Sequence, residues 1–408
     1  NTDETDVPYD TFQTSGGSFG NVDRTVASRT AALTYTFNPA SDLINLDVVL
    51  SYADQDIKQS YVSGSSICEI TPASCAGFLR GAPFPAETTK LALKNTSLFS
   101  TGAVEHNLRT GLEFIRKDRA DANSAPGGTD NRIAVFAVDK MTIGDAWTIT
   151  PALRYEHSKI EGSTAPNNGS FTNGALMGGL SLQYAFGNGF SVFSSAAYTE
   201  NLPIIDDLGN PRFMTQSEKA TTFEIGASFD GTDVFQSGDT FAIKGNLYQT
   251  DLRDITSYRA SGSTSATLEK VQNEGLESEA SYAMASGFYL DMNANVVRGN
   301  EIQSSGTVFD WRGVPADAIQ LTVGQKFGDA LDVSWEMVAN ERFDRASQVV
   351  PGSVIHNLRA TYKPQQGVLR NSEIRFGVEN LFDKEYTPRL STRPAPGRNF
   401  KVTLATKF

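Results

Sequence analysis

The feature that most constrains this chain is a period-two alternation of apolar and polar residues that recurs along its length. In the closing stretch, Phe400, Val402, Leu404, Thr406 and Phe408 share one parity, and Lys401, Thr403, Ala405 and Lys407 share the other. An extended strand of this sequence has one oily and one wet face, whereas a helix would scatter the same residues around its circumference. The same sorting places Trp147, Ile149, Leu153 and Tyr155 against Thr148, Thr150, Arg154 and Glu156, and Phe288, Leu290, Met292 and Val296 against Tyr289, Asp291, Asn293 and Asn295. About 17 such segments are visible, most of about ten residues, longer than the usual five or six of soluble sheets.

The connectors alternate as well. Short stretches rich in Gly, Asn and Asp (143–146, 186–190, 285–288, 327–331) read as tight hairpins. Every second connection is long and polar: 54–87, 119–130, 161–173, 200–218, 253–268, 300–313, 344–352 and 384–397. Successive antiparallel strands reverse direction, so all short turns fall at one end of the sheet and all long loops at the other, as in outer-membrane barrels.

A soluble sandwich also alternates, with its apolar face turned inward. Size decides between the two. A closed barrel of this many long strands has a lumen too wide for one layer of side chains to fill, so its inward face is polar and its outward face meets lipid. A Lys or Arg turned to lipid costs about 2 to 4 kcal/mol at mid-membrane, which explains why charges keep to one parity. Trp147, Tyr155, Phe190, Phe288 and Phe327, near strand ends, fit interfacial girdles. The expected fold is all-β, a transmembrane antiparallel β-barrel. No apolar run approaches the length of a spanning helix. The formal net charge of −12 argues against a nucleic-acid partner, which would need a basic stripe.

Several stretches together resemble the TonB-dependent outer-membrane receptors, nearest to those for haem and siderophores. They are RFGVENLFDKEY (375–386) followed by PGRNFKVTLATKF, NRIAVFAVDKMTIGDAWTITPALRYEH (131–157) and VVPGSVIHNLRATYKP (349–364). The resemblance implies a barrel of about 22 strands plugged by an N-terminal domain that TonB engages. Measured against it, residues 25–408 read as the C-terminal part of the barrel, with the plug and about five strands absent, and residues 1–24 as part of an extracellular loop. Implied partners are outer-membrane lipid, the TonB complex through the missing plug segment, the barrel insertion machinery, which reads a terminal aromatic such as Phe408, and a small-molecule iron complex. Implied too are outer-membrane localisation and import of an iron complex, siderophore or haem, as transported ligand with no resident cofactor. A passive porin is the alternative. No nucleophile and base sit together in the pattern of an enzyme.

For the cargo, the segment 194–229 resembles a loop region of haem receptors, with ENLP (200–203) and GNPRF (209–213) but no histidine between them. The three histidines read as surface or interfacial: His106 beside a short turn, His157 and His356 on the lipid-side parity. If haem is the cargo, a tyrosine such as Tyr258, or a ligand on the missing plug, serves as its axial partner. An anionic siderophore needs guanidinium forks and aromatic platforms, and Tyr258 with Arg259, Trp311 with Arg312, Arg342 with Arg345, and Arg389 with Arg393 lie in or beside long loops. Asp206 and Asp207 are weak cation ligands without a supporting spacing, and no metal site is expected.

The two cysteines, Cys68 and Cys75, lie close together in a long polar stretch with no nearby histidine. They read as a small disulfide loop of an oxidising compartment rather than a zinc site. Unreduced, unfolded protein is therefore expected to resist thiol alkylation; labelling of both cysteines without reductant overturns the pairing.

Overall fold

In the computed structural model, the described residues are 2–8, 21–62, 85–121, 126–255, 268–346, 348–391 and 394–406. Cys68, Cys75, Tyr258, Arg259, Arg393 and Phe408 lie outside them. The strands are β1 (Thr2–Pro8), β2 (Asn21–Phe37), β3 (Leu46–Tyr61), β4 (Ala86–Thr101), β5 (Val104–Arg119), β6 (Gly128–Ile143), β7 (Trp147–Gly162), β8 (Ser170–Ala185), β9 (Phe190–Asn201) and β10 (Glu218–Thr232). They continue with β11 (Thr240–Arg253), β12 (Leu268–Ala283), β13 (Phe288–Gln303), β14 (Val308–Asp310), β15 (Ala318–Phe327), β16 (Leu331–Asn340), β17 (Ser353–Tyr362), β18 (Ser372–Glu379) and β19 (Asn399–Thr406).

All belong to one 19-stranded sheet. Each strand pairs antiparallel with its sequence neighbours, from β1–β2 to β18–β19. β13 is the exception: it holds both β14 and β15 on one side, end to end, as a single interrupted stave. Among the described residues no register joins β19 to β1, so the wall is open there. Thr2–Pro8 is strand, hydrogen-bonded to Asn21–Val26, so residues 2–8 and 21–24, read from the sequence as loop, form arms of a hairpin. The weak alternation in TDETDVP hides it. The short turns stand where the sequence places them. Gly144 (φ +57°) and Gly328 (φ +57°) take the left-handed conformation that lets β6–β7 and β15–β16 reverse in so few residues.

The two faces are chemically opposite. On β6 to β8, Ile133, Val135, Leu153 and Leu176 are 45%, 46%, 57% and 57% exposed, while Ala134 and Ala175 on the other face are buried. The face with the buried alanines also carries the charged pairs described below, and the loops fold over it. The oily face is therefore the outer one. On β7 its belt runs from Trp147 to Tyr155, about the rise that crosses an apolar core at barrel tilt. Above Tyr155 the same parity turns polar, and Lys159 pairs with Glu161 at 2.7 Å.

Most strands from β2 to β13 are longer than the expected ten residues; β3 to β8 have 16 each. The excess lies at the long-loop end, where both faces are polar and alternation of hydrophobicity gives no signal. At the short-turn end, Trp147, Tyr184, Phe186 and Phe190 form an aromatic chain with centroid separations of 4.8, 4.8 and 5.3 Å. Such rings, part apolar and part polar, suit the water–lipid boundary.

Leu153→Lys, on the outward face, is expected to cost about 2–4 kcal/mol of folding free energy in a bilayer. Thr150→Lys, on the inward face, costs far less. Equilibrium unfolding from vesicles compares the two; equal penalties overturn the assignment.

Candidate ligand-binding mouth

The inward face carries a chain of alternating charges across β4 to β7. Lys90 Nζ lies 2.6 Å from Glu113 Oε1, and Arg154 Nη2 donates to both Glu113 Oε2 (2.8 Å) and Glu156 Oε2 (2.9 Å). Arg132 continues it, with Nη1 to Glu156 Oε1 at 3.0 Å and Nε to Asp130 Oδ2 at 2.7 Å; Ser158 Oγ then donates to Asp130 Oδ1 at 2.9 Å. Cations and anions balance along this ladder, so its arginines are already engaged. A second knot sits across β15 to β17. There Arg359 donates twice to Glu336, at 2.9 and 3.0 Å, and Gln320 and Asn357 complete the carboxylate's shell. Bidentate guanidinium–carboxylate pairing of this kind fixes geometry as well as charge.

The ladder anchors a loop. Between β9 and β10, residues 202–217 fold onto the inward face through two short 3-10 turns, Ile205–Gly209 and Phe213–Thr215. Ile205, Leu208 and Met214 bury against Ile160, with Phe171 packed alongside. Arg132 Nη2 donates to the Pro203 carbonyl (2.8 Å), Arg119 Nη1 to Asp206 (2.6 Å), and Asn173 Nδ2 to the Met214 carbonyl (3.0 Å). ENLP thus leads into an inward-folded loop anchored at Pro203, Asp206 and Met214, and GNPRF forms its exposed middle. Asp206 is spent on Arg119. Burial pushes the Asp207 carboxyl above its ordinary value, and the nearby Glu218 and Asp206 push the same way against the Ile204 N–H bond.

Across the mouth, β13 to β16 carry a second cluster, built around Phe343, which is 1% exposed and packs with Val297, Val314 and Ala316. The Arg389 and Arg345 guanidiniums lie over its ring at 4.0 and 4.8 Å. Arg389 Nη2 also donates to the Arg312 carbonyl at 2.6 Å, and Trp311 packs against the same core. Four of the sequence candidates, Trp311, Arg312, Arg345 and Arg389, therefore come together although they lie up to 78 positions apart in the sequence. Arg342 does not join them; it is exposed, 3.8 Å from Asp344. Arg298 and Arg345 share Asp317, at 2.7 and 3.7 Å. Burial alone would raise the Asp317 carboxyl, but Arg298, the Val297 N–H and Arg345 together hold it below the ordinary 3.8.

Two adjoining cavities run between the loop and this cluster. One of about 430 Å³ is bordered by Arg132, Arg154, Glu156 and Asp207, and one of about 220 Å³ by Leu252, Arg253 and Trp311; they share Thr199, Asn201 and Glu218. All three histidines stand elsewhere. His106 bridges Thr101 and Asp139 at 2.7 Å each beside a short turn, and His157 shares the outward parity of Tyr155. His356 lies between Trp335 and Phe382 on the outward face. The residues that sequence reading missed are Arg132, Arg154, Glu113, Glu156 and Phe343. The first four had a signal, charged residues on the inward parity of three neighbouring strands, whereas Phe343 sits in a loop and shows none.

Arg132→Ala leaves Asp130 without its guanidinium, leaves Glu156 with Arg154 alone, and frees the Pro203 carbonyl. The expected loss is about 1–3 kcal/mol, seen in denaturant unfolding, with faster proteolysis within 202–217. Acid is expected to act oppositely on the two clusters. Asp207, raised in the folded protein, binds its proton more tightly when folded and so strengthens the docking of its loop as pH falls. Asp317, lowered, contributes stability that is complete above 3.8 and is lost as pH falls through its depressed value. Limited proteolysis across an acid series should open 341–352 before 202–217; the reverse order overturns this account.

The family described as TonB dependent receptor-like, beta-barrel matches residues 1–381. Heme/hemopexin utilization protein C of Haemophilus influenzae is 24% identical over 373 residues, covering 79% of this chain and 51% of that protein. Among solved structures, the copper transporter OprC superposes with a TM-score of 0.75 at 14% identity, covering 95% of this chain and 66% of its own. The Serratia marcescens hemophore receptor HasR, solved as a double mutant with its hemophore HasA and heme, superposes at 0.73 and 17% identity, with coverage of 95% and 66%. At such identities the structural likeness speaks to fold alone, and the chain spans about half the length of the curated relative. The match over most of the chain, an oily exterior and a charged interior closed over by loops lead to one conclusion: the chain belongs to the TonB-dependent receptor family of the outer membrane, as part of its β-barrel.

Proposed function

We propose that this chain is the wall and mouth of a receptor that imports an iron complex across the outer membrane, drawing energy through TonB. The long loops face outside and the short turns the periplasm. The observation that carries this reading is the family match over residues 1–381. Haem is the favoured cargo, because the similar Haemophilus influenzae protein is named for heme and hemopexin utilization; a siderophore is the runner-up. The chain performs no covalent chemistry in this reading, and its ligand is cargo rather than cofactor.

Trp311, Arg312, Arg345 and Arg389 offer an aromatic face and guanidiniums at one side of the mouth, suited to a flat ligand bearing carboxylates. Tyr258, Arg259 and Arg393, outside the described residues, belong to the proposed ligand set by their sequence alone, and Arg342, exposed beside Asp344, stands apart from it. Because His106, His157 and His356 all lie away from the mouth, haem held here takes no histidine from this chain.

Deleting the gene is expected to abolish growth on haem as sole iron source while growth on a ferrous salt continues. Undiminished growth on haem removes haem as cargo, and the same strain tested on individual siderophores then identifies the alternative. Arg389→Ala is expected to weaken haem binding about tenfold, or about 1.4 kcal/mol, and Arg342→Ala by much less. Titration of the purified full-length receptor measures both.

A further inference from the structure

One cluster breaks the sorting of the two faces. Asp139 of β6 shares the outward parity of Ile133 and Val135, and His106 of β5 shares that of Phe114. Ionisable side chains within the membrane are costly, and a functional role is the first reading of them. These two are joined to each other and to a hydroxyl. His106 Nδ1 lies 2.7 Å from Asp139 Oδ2, and His106 Nε2 lies 2.7 Å from Thr101 Oγ1 at the end of β4. The side chains of His106 and Asp139 are 12% and 19% exposed. The Phe99 ring stacks on the imidazole at 4.5 Å with an interplanar angle of 8°, which fixes its plane.

The direction of the bonds follows from the carboxylate. An ionised Asp139 can only accept, so Nδ1 donates to it and Nε2 is left as acceptor for the Thr101 hydroxyl. Hydroxyl, imidazole and carboxylate in that order are the parts of an activated nucleophile, in which the base takes the proton and the acid orients the base. The turn supplies a further part. Thr101 is followed by Gly102 and Ala103, whose N–H groups donate to no described residue, and the space beside Gly102 is open. The N–H that follows a nucleophile is a recurrent donor to the oxyanion of acyl transfer.

Height on the wall selects the substrate. Thr101 pairs with Val104, Val104 with Ile143 and Ile143 with Trp147, so the hydroxyl stands in the row where the aromatic chain begins. Such aromatic rows sit at headgroup level, the level of phospholipid ester groups.

We propose that Thr101, His106 and Asp139 form an acyl-transfer site on the outer wall that hydrolyses a fatty-acyl ester of a phospholipid. Thr101 Oγ1 attacks the ester carbonyl carbon as its proton passes to His106 Nε2, and the Gly102 N–H meets the oxyanion. The tetrahedral carbon then expels the lysophospholipid alkoxide, which takes that proton. Water attacks the acyl-threonine with His106 again as base, and the fatty acid leaves, so that ester and water become acid and alcohol. Asp139 touches no reacting atom and is a positioning residue. This activity stands apart from the import reading, which asks no covalent step of the chain, and rests only on the assignment of faces.

The full-length receptor in phospholipid vesicles, treated with a fluorophosphonate probe and assayed for release of fatty acid, tests it. The probe loses fluoride as Thr101 Oγ1 bonds to phosphorus, and peptide mass spectrometry locates the adduct. The wild type is expected to carry the adduct on Thr101 and to release fatty acid, and Thr101→Val, which keeps the shape of the side chain, to do neither. His106→Ala is expected to slow both reactions at least about 100-fold. Asp139→Asn, which keeps the shape but not the charge, slows them at least about tenfold, and Asp139→Glu recovers part of the rate. Unfolding midpoints matching the wild type show that the variants are folded. No adduct on wild-type Thr101, or an unchanged rate in His106→Ala, overturns the site. Equal rates in Asp139→Asn and the wild type overturn the role of Asp139, and an adduct without fatty-acid release overturns the phospholipid substrate.

Discussion

The backbone hydrogen bond across the sheet is what everything else depends on. In lipid no water satisfies a stray N–H or carbonyl, so a chain that crosses with strands must pair each to the next. Here the pairing runs in sequence order from β1 to β19. Once it is in place, side-chain direction follows from the pleat, and a shift of one residue would turn every leucine of the belt inward and every charge of the ladder outward. The separation of faces is thus less a feature added to the sheet than the reason only one register is tolerable.

Inside, the polar face solves a different problem. Charged side chains on a partly buried wall must be paired, since a buried charge left alone costs several kcal/mol. The ladder from Lys90 to Asp130 and the Glu336 knot do this by repeating the cross-strand juxtaposition of opposite charges. The loops then attach to the same groups. Arg132 holds both its carboxylates and the Pro203 carbonyl, and Asp317 takes Arg298 and Arg345 while also accepting the Val297 N–H. Wall and mouth are one hydrogen-bonded system.

How much of this was legible beforehand differs by level. The belt was readable because alternation in residues such as Trp147 to Tyr155 is a direct image of one face in lipid. Strand length was not, because above Tyr155 both faces are wet and Lys159 and Glu161 look like loop. Thr2–Pro8 escaped for the same reason. Trp311, Arg312, Arg345 and Arg389 were singled out by residue type and loop position. Their convergence on Phe343 depends on three loops folding together and has no signature in spacing. Arg342, equally plausible by type, lies exposed beside Asp344 instead.

The balance of the charge ladder bears on how the wall treats a solute. A surface of free guanidiniums would hold an anion at every step, and each hold would have to be broken before the next. With Arg132 and Arg154 already engaged by Glu113, Glu156 and Asp130, a passing anion meets alternating fields that cancel within a few ångströms. In the proposed import, such a lining would give a passing anion little to hold.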